Sequence, residues 1–349
     1  MALFSASPYW TNASTAPAFW EATAKVATLA TGYQTSGAFS LFHRTCDTGC
    51  AQVSHYMAYD AGIYILAGNA TANVDGLGDQ IPLSAGDYVV IPPYTTVSYV
   101  AANDTTVLEF YRPGGVEGLV SGLWQPAFPG QSAPVKQAPA PATYASFLDS
   151  QYGAVFFPPK STASSASPAD QAAIAAVMES PSPSLTNATA APAFWVQPRV
   201  PELWTVLAGS RQTGSTYTLT QKVYGKGAAL KPSRYTKTDF SYYVLKGNAS
   251  LLIDNQVVAL SEDQFAFVPK GTMFALTTSE DFTALVFDVP GGMVERSLSL
   301  FDAVPAKERR LPSTEEVSAA NLTSPRASLE VKMSMGVVSL DLAAASEFK

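Results

Sequence analysis

The chain has 349 residues, 47% of them apolar and 14% charged, which gives room for two domains with full cores. The net charge of −7 and the lack of any basic cluster exclude a nucleic-acid partner, since neutralising phosphates takes grouped Lys and Arg. No apolar run approaches the length of a membrane span, so no membrane partner is expected either.

The first distinctive stretch is "TNASTAPAFW" at 11–20, which returns as "TNATAAPAFW" at 186–195 with eight of ten positions identical. Further echoes follow at offsets of 175–179 residues. "LAGNATANVDG" (66–76) answers "LKGNASLLIDN" (245–255), and "FYRPGG" (110–115) answers "FDVPGG" (287–292). So long a period exceeds any solenoid repeat and fits a duplicated domain.

Within the first copy, "GAFSLFHRT", "GIYILAGNATANVDG", "DYVVIPP" and "TTVLEFY" are short, β-branched and aromatic, and bounded by Gly, Asn, Asp or Pro. They predict strands. Residues 125–185 are dense in Pro, Ala and Ser and read as a connector. Inside it, "SPADQAAIAAVMES" (167–180) predicts a short helix with Ser167 as N-cap and Pro168 at the first helical position. The second copy repeats the strand scheme in "STYTLTQKV", "FSYYVLKGNASLLIDNQVVAL", "DQFAFVPKG" and "FTALVFDVPGG", and a further short helix is predicted near 313–322. The expected architecture is all-β, with domains at 1–124 and 186–349 joined by the connector.

Six of the eight asparagines open a glycosylation sequon: Asn12, Asn69, Asn103, Asn187, Asn248 and Asn321. Chance would give roughly one or two, so passage through the secretory pathway is expected. The segment "MALFSASPYW" has neither a charged n-region nor an apolar h-region, which implies a signal peptide absent from this chain. In an oxidising compartment Cys46 and Cys50, separated by the turn-forming Asp-Thr-Gly, predict a local disulfide.

The stretch "GDYVVIPPYTT" (86–96) resembles the second conserved motif of the cupins, and "YILAGNA" and "YVLKGNA" resemble the end of their first. Two such domains with a Pro/Ala-rich connector and many sequons resemble the fungal quercetin 2,3-dioxygenases over nearly the whole chain. The resemblance implies two tandem cupin (double-stranded β-helix, or jelly-roll) domains, and a monomer, because bicupins bury their sheet edges within one chain.

The family's metal ligands do not carry over. Its His-x-His pair falls on Ser54 and Tyr56, its Glu on Ala61 and its last His on Val97. In the second copy these positions are Ser233, Tyr235, Phe240 and Phe274. His43 and His55 are the only histidines, so a three-His centre cannot be built; neither metal nor cofactor is expected. Small and apolar residues at former ligand positions of the first barrel would make room for an organic ligand, whereas Phe240 and Phe274 would fill the second. Loss of the metal makes the chain similar to the hetero-Diels–Alderases of tropolone sesquiterpenoid biosynthesis. The partners this implies are small organic molecules: an aromatic or tropolone unit and a terpene.

The candidate catalytic donors are therefore Tyr56, Ser54, His55 and Arg112, with Ala61, Ile63, Val97 and Tyr99 as the binding wall. Ser-x-Tyr recurs in both copies, which fits packing as well as chemistry. Strand alternation expects His55 to face away from the interior, and Arg112 to be a rim cation. A non-catalytic carrier and a cofactor-free dehydratase or isomerase stay open at this point.

Overall fold

The computed structural model describes residues 6–128, 130–132, 148, 150–151, 153–156, 181–196, 202–294, 302–304, 309–311 and 337–339. The expected helices at 167–180 and 313–322, and Asn321, lie outside the described residues. The regular structure of the described residues is nearly all strand, as the β-branched and aromatic runs predict.

The chain folds into two compact units, each a double-sheet jelly roll. The first comprises Ala13–Asn187 with Arg211–Gly214; the second comprises Met1–Asn12, Ala188–Ser210 and Ser215–Lys349. The opening strand β1 (Tyr9–Asn12) thus belongs to the second unit, where it pairs antiparallel with Gln264–Val268. The matching strand of the other copy, Ser184–Asn187, pairs with Asp87–Ile91 in the first unit. Both registers place the sequon Asn at the same point, Asn12 opposite Gln264 and Asn187 opposite Asp87. The two copies therefore exchange their first strands, and the repeated Thr-Asn closes each exchanged strand.

In the first unit the strands that build the site are β2 (Ala18–Glu21), β3 (Ala24–Ala30), β4 (Ser40–Cys46), β5 (Cys50–Tyr56), β6 (Asp60–Ala67), β7 (Asn69–Val74), β8 (Gly78–Ser84), β9 (Asp87–Ile91), β10 (Val97–Ala101) and β11 (Thr105–Arg112). The larger sheet runs β2-β3-β4-β11-β6-β9, with Gln125–Ala127 at one edge and Ser184–Asn187 at the other. The smaller runs β5-β10-β7-β8, with Val155–Phe156 added outside β5. Alternation buries Ala61, Ile63 and Ile65 of β6, Val107 and Tyr111 of β11, and Val97, Tyr99 and Ala101 of β10 in one core between the sheets. The turn after β6 needs Gly68 (φ 76°), where a Cβ would come within 2.6 Å of Thr105 Oγ1. Gly247 fills the equivalent turn of the second copy at φ 81°.

One irregularity decides the site. Between β5 and β10 the register runs Val97↔His55 and then Tyr99↔Gln52, so β5 holds one residue more than its partner. This bulge inverts the alternation beyond it. Gln52 and His55 are both buried on the inner face, while Val53 is exposed and Ser54 and Tyr56 are half-buried. The expectation that His55 faces away is corrected: the extra residue turns its imidazole inward.

Candidate functional site

The interior of the first barrel is apolar with a defined set of polar groups. Arg44 of β4 reaches Glu109 of β11 by two bonds, Nε–Oε1 at 2.9 Å and Nη2–Oε2 at 3.2 Å, and pairs through Nη1 with Glu21 of β2. Tyr99, from the opposite sheet, donates its hydroxyl to Glu109 Oε1 at 2.6 Å. Trp124 lies 5.5 Å from the guanidinium carbon. Burial opposes the Arg44 charge, but Glu109 and Glu21 outweigh it and hold the guanidinium firmly protonated. Burial pushes the Glu21 carboxyl up, against the pull of Arg44. Sequence reasoning missed this cluster, because Arg44 and Glu109 are 65 positions apart and only strand pairing joins them.

A second polar group centres on His55. His55 is 2% exposed and stacks on Phe156 with ring centroids 5.4 Å apart. Its Nδ1 is 2.9 Å from the Val53 carbonyl oxygen, which can only accept, so Nδ1 carries the proton and Nε2 keeps its lone pair. Burial lowers the imidazole pKa, with the Val53 bond partly opposing, so the ring is neutral at neutral pH. Tyr111, opposite Ala61 in register, is buried in the same core. Burial raises its phenol pKa well above the ordinary value, so it keeps its proton at neutral pH.

The expected wall residues Ala61, Ile63, Val97 and Tyr99 all lie in this core. Ser54 and Tyr56 sit beside the bulge, Tyr56 with its ring 6.2 Å from that of Tyr94. Arg112 follows inward-facing Tyr111 and pairs with Asp60 on the other face of the sheet, Nη1 to Oδ2 3.6 Å. The structure thus sets His55 beside Val97 of the wall, while its strand neighbours Ser54 and Tyr56 fall on the opposite face and Arg112 is not brought to the interior. Tyr111 and Gln52 were not singled out from the sequence, since a lone Tyr and a lone Gln carry no motif.

Metal-ligating chemistry finds no fit here. Ala61 and Val97, at two ligand positions, are buried hydrocarbons, and among the described residues no group of three His, Cys, Asp or Glu is gathered. The second barrel differs again. Phe240 and Phe274 are 4.5 Å apart by ring centroid, and Tyr235 packs on both at 5.0 and 5.1 Å. Aromatic rings fill that interior, as expected from the sequence.

Cys46 and Cys50, buried where β4 turns into β5, form the predicted disulfide. Asn69, Asn103 and Asn248 are exposed, whereas Asn12 and Asn187 are half-buried and Asn187 donates its amide to Asp87.

No family model matches the sequence, and no curated protein is significantly similar to it. Solved structures do match in fold. The chain is similar to oxalate decarboxylase of Bacillus subtilis, a protein with Mn(II) centres, at 13% identity over 96% of this chain and 89% of that one, TM-score 0.54. It is similar to procruciferin, an 11S globulin of Brassica napus, at 12% identity over 82% and 85%, TM-score 0.54. Salicylate 1,2-dioxygenase of Pseudoaminobacter salicylatoxidans matches at 11% identity over 86% and 88%, TM-score 0.50. These neighbours are bicupins, and the likeness establishes the cupin fold.

Proposed function

We propose that the first barrel is a metal-independent site that binds organic molecules and catalyses their cyclisation, specifically a hetero-Diels–Alder addition of a tropolone-derived quinone methide to a terpene such as humulene. One observation carries the reading: where bicupin enzymes need metal ligands, this barrel has Ala61 and Val97, flanked by a neutral imidazole and a phenol donor.

That set suits the reaction. To form the quinone methide, a hydroxymethyl precursor loses one hydroxyl proton and one hydroxide, as water. His55 Nε2 accepts the ring hydroxyl proton and returns it to the departing hydroxyl, which balances the step without an oxidant; such proton transfer is worth roughly 10²–10⁴ in rate. The cycloaddition then forms one C–C and one C–O bond and needs no further proton. A donor on the ring oxygen polarises the diene. Holding both partners in a reactive pose supplies up to about 7–11 kcal/mol of the barrier. The apolar wall receives the terpene.

Supplying the hydroxymethyl tropolone precursor and humulene, with chiral chromatography of the adduct, tests this. One stereoisomer, formed faster than without protein and lost in His55→Phe, is the expected result; the protein-free isomer ratio and rate would refute it. The likeness to an 11S globulin, a non-catalytic protein, favours a second reading as a carrier, which predicts binding with no change in rate. Secretion and glycosylation, inferred from the sequons, belong to the same proposal.

A further inference from the structure

The two copies end their smaller sheets on equivalent hairpins that are built differently. In the first, β8 is the edge strand beside β7, and three features blunt that edge. Pro82 has no N–H, and Asp79 puts an exposed charge on the strand. Between Ala72 and Val74 the register also shifts, a bulge at which Gln80 takes φ 54°. The second copy has none of these. Its edge strand, Gln256–Leu260, runs against Ala249–Ile253 in five unbroken pairs and carries neither Pro nor charge. Val257 is 72% exposed there, and among the described residues no strand pairs with the outer side.

The comparison also fixes which backbone groups of that edge are free. Pro82 lies opposite Thr71 and Ala259 opposite Ser250, and both partners stand at the same place after a Gly-Asn turn. Pro is tolerated in a ladder where its missing N–H would have faced solvent, so the equivalent Ala259 aims its N–H and C=O away from its neighbouring strand. By the two-residue alternation Val257 does the same. Such a strand can lie antiparallel on its own image about a two-fold axis at Val258. Val257 then faces Ala259 twice, and each pair exchanges two N–H···O=C bonds. Self-pairing sets uncharged side chains against uncharged side chains and covers the exposed Val257, whereas a charged partner strand would find no complement here.

We propose that the strand Gln256–Leu260 is a self-association edge, through which two copies of this chain join the smaller sheets of their second units into one continuous sheet. The contact is small: two strands of this length bury well under the roughly 1,200 Å² of a stable complex. Asp254 and Glu262, just beyond its ends, add like charge in a chain of net charge −7. The dimer is therefore weak, with a Kd on the order of 10⁻⁵–10⁻³ M, and the monomer expected from the sequence is the form at low concentration.

Sedimentation equilibrium of the full chain from about 1 µM to about 1 mM, in about 0.5 M NaCl to screen the net charge, tests it. The weight-average mass is expected to rise toward twice that of one chain. Hydrogen exchange at the Val257 and Ala259 amides should slow about twofold or more between the lowest and highest concentrations. Ala259→Pro, which installs the first copy's own residue, and Val257→Lys should each weaken association at least about tenfold, with melting temperatures confirming folded variants. Val100→Lys, at a valine 61% exposed on the first unit's smaller sheet, should leave it unchanged. A chain that stays monomeric at the highest concentration overturns the proposal. So does association that survives both edge variants or is lost equally in Val100→Lys. Should an edge variant fail to fold, amide exchange at 257 and 259 independent of concentration overturns it on the unaltered protein.

Discussion

Glu109→Gln is the sharpest test of the charge cluster inside the first barrel. In the wild type the carboxylate receives Arg44 Nε at 2.9 Å, Arg44 Nη2 at 3.2 Å and the Tyr99 hydroxyl at 2.6 Å. Gln keeps the shape and one acceptor oxygen but replaces the other acceptor with an amide donor facing a guanidinium. Arg44, at 1% exposure, then has Glu21 as its one carboxylate. Removing one partner of a buried pair typically costs about 3–5 kcal/mol, because a desolvated charge is left uncompensated. Tyr99→Phe removes only one of the three bonds and leaves the ion pair standing, so about 1.5–3 kcal/mol is expected. Urea unfolding followed by Trp fluorescence measures both, with the midpoint shifted and the slope unchanged. A cost below about 1 kcal/mol for Glu109→Gln would show that water reaches the cluster.

Three further outcomes are expected. Glu202 in the second barrel has its carboxyl pushed up to about 7 by burial, against Lys222 and the Trp204 indole bond. Its folded pKa lies above the unfolded one, so its stabilisation is complete below about pH 4.5 and is lost as pH rises through about 7, on the order of 3 kcal/mol in all. Glu202→Gln should flatten the melting temperature over that window; an unchanged pH profile would contradict the burial argument. Ala61→Phe copies Phe240 of the second barrel and should abolish adduct formation while costing at most about 1–3 kcal/mol in a urea titration; full activity would remove the interior from the chemistry. On expression in a secretory host, peptide mapping should find glycans on the exposed Asn69 and Asn103; both unmodified would contradict passage through the secretory pathway.

What the sequence shows follows from what each signal depends on. The duplication, the strands and the aromatic plug at Phe240 and Phe274 are legible, because identity, β-propensity and residue size are local properties. The direction of His55 is not. It depends on one surplus residue between Gln52 and His55, and bulges arise from the pairing of two strands, which a single strand cannot reveal. The Arg44–Glu109 pair is hidden for a similar reason: β4 and β11 are neighbours in the sheet but distant in the chain. The strand exchange is hidden too. The repeated Thr-Asn signals that two strands are equivalent, yet nothing in it says that each one pairs with the other copy.

The duplication allows the two barrel interiors to be compared position by position, and both carry buried charge: Arg44 and Glu109 in the first, Glu202, Lys222 and Asp288 in the second. Four equivalent interior positions differ between the copies: Ala61 and Phe240, Val97 and Phe274, Tyr99 and Leu276, Arg44 and Lys222. At three of them the second copy has the larger or more apolar side chain, and each phenyl ring buries on the order of 150–250 Å². The first copy replaces that burial with a carboxylate–guanidinium cluster, whose desolvation offsets much of its attraction. Strand exchange joins the fates of the two units covalently, since each sheet is completed by chain from the other copy.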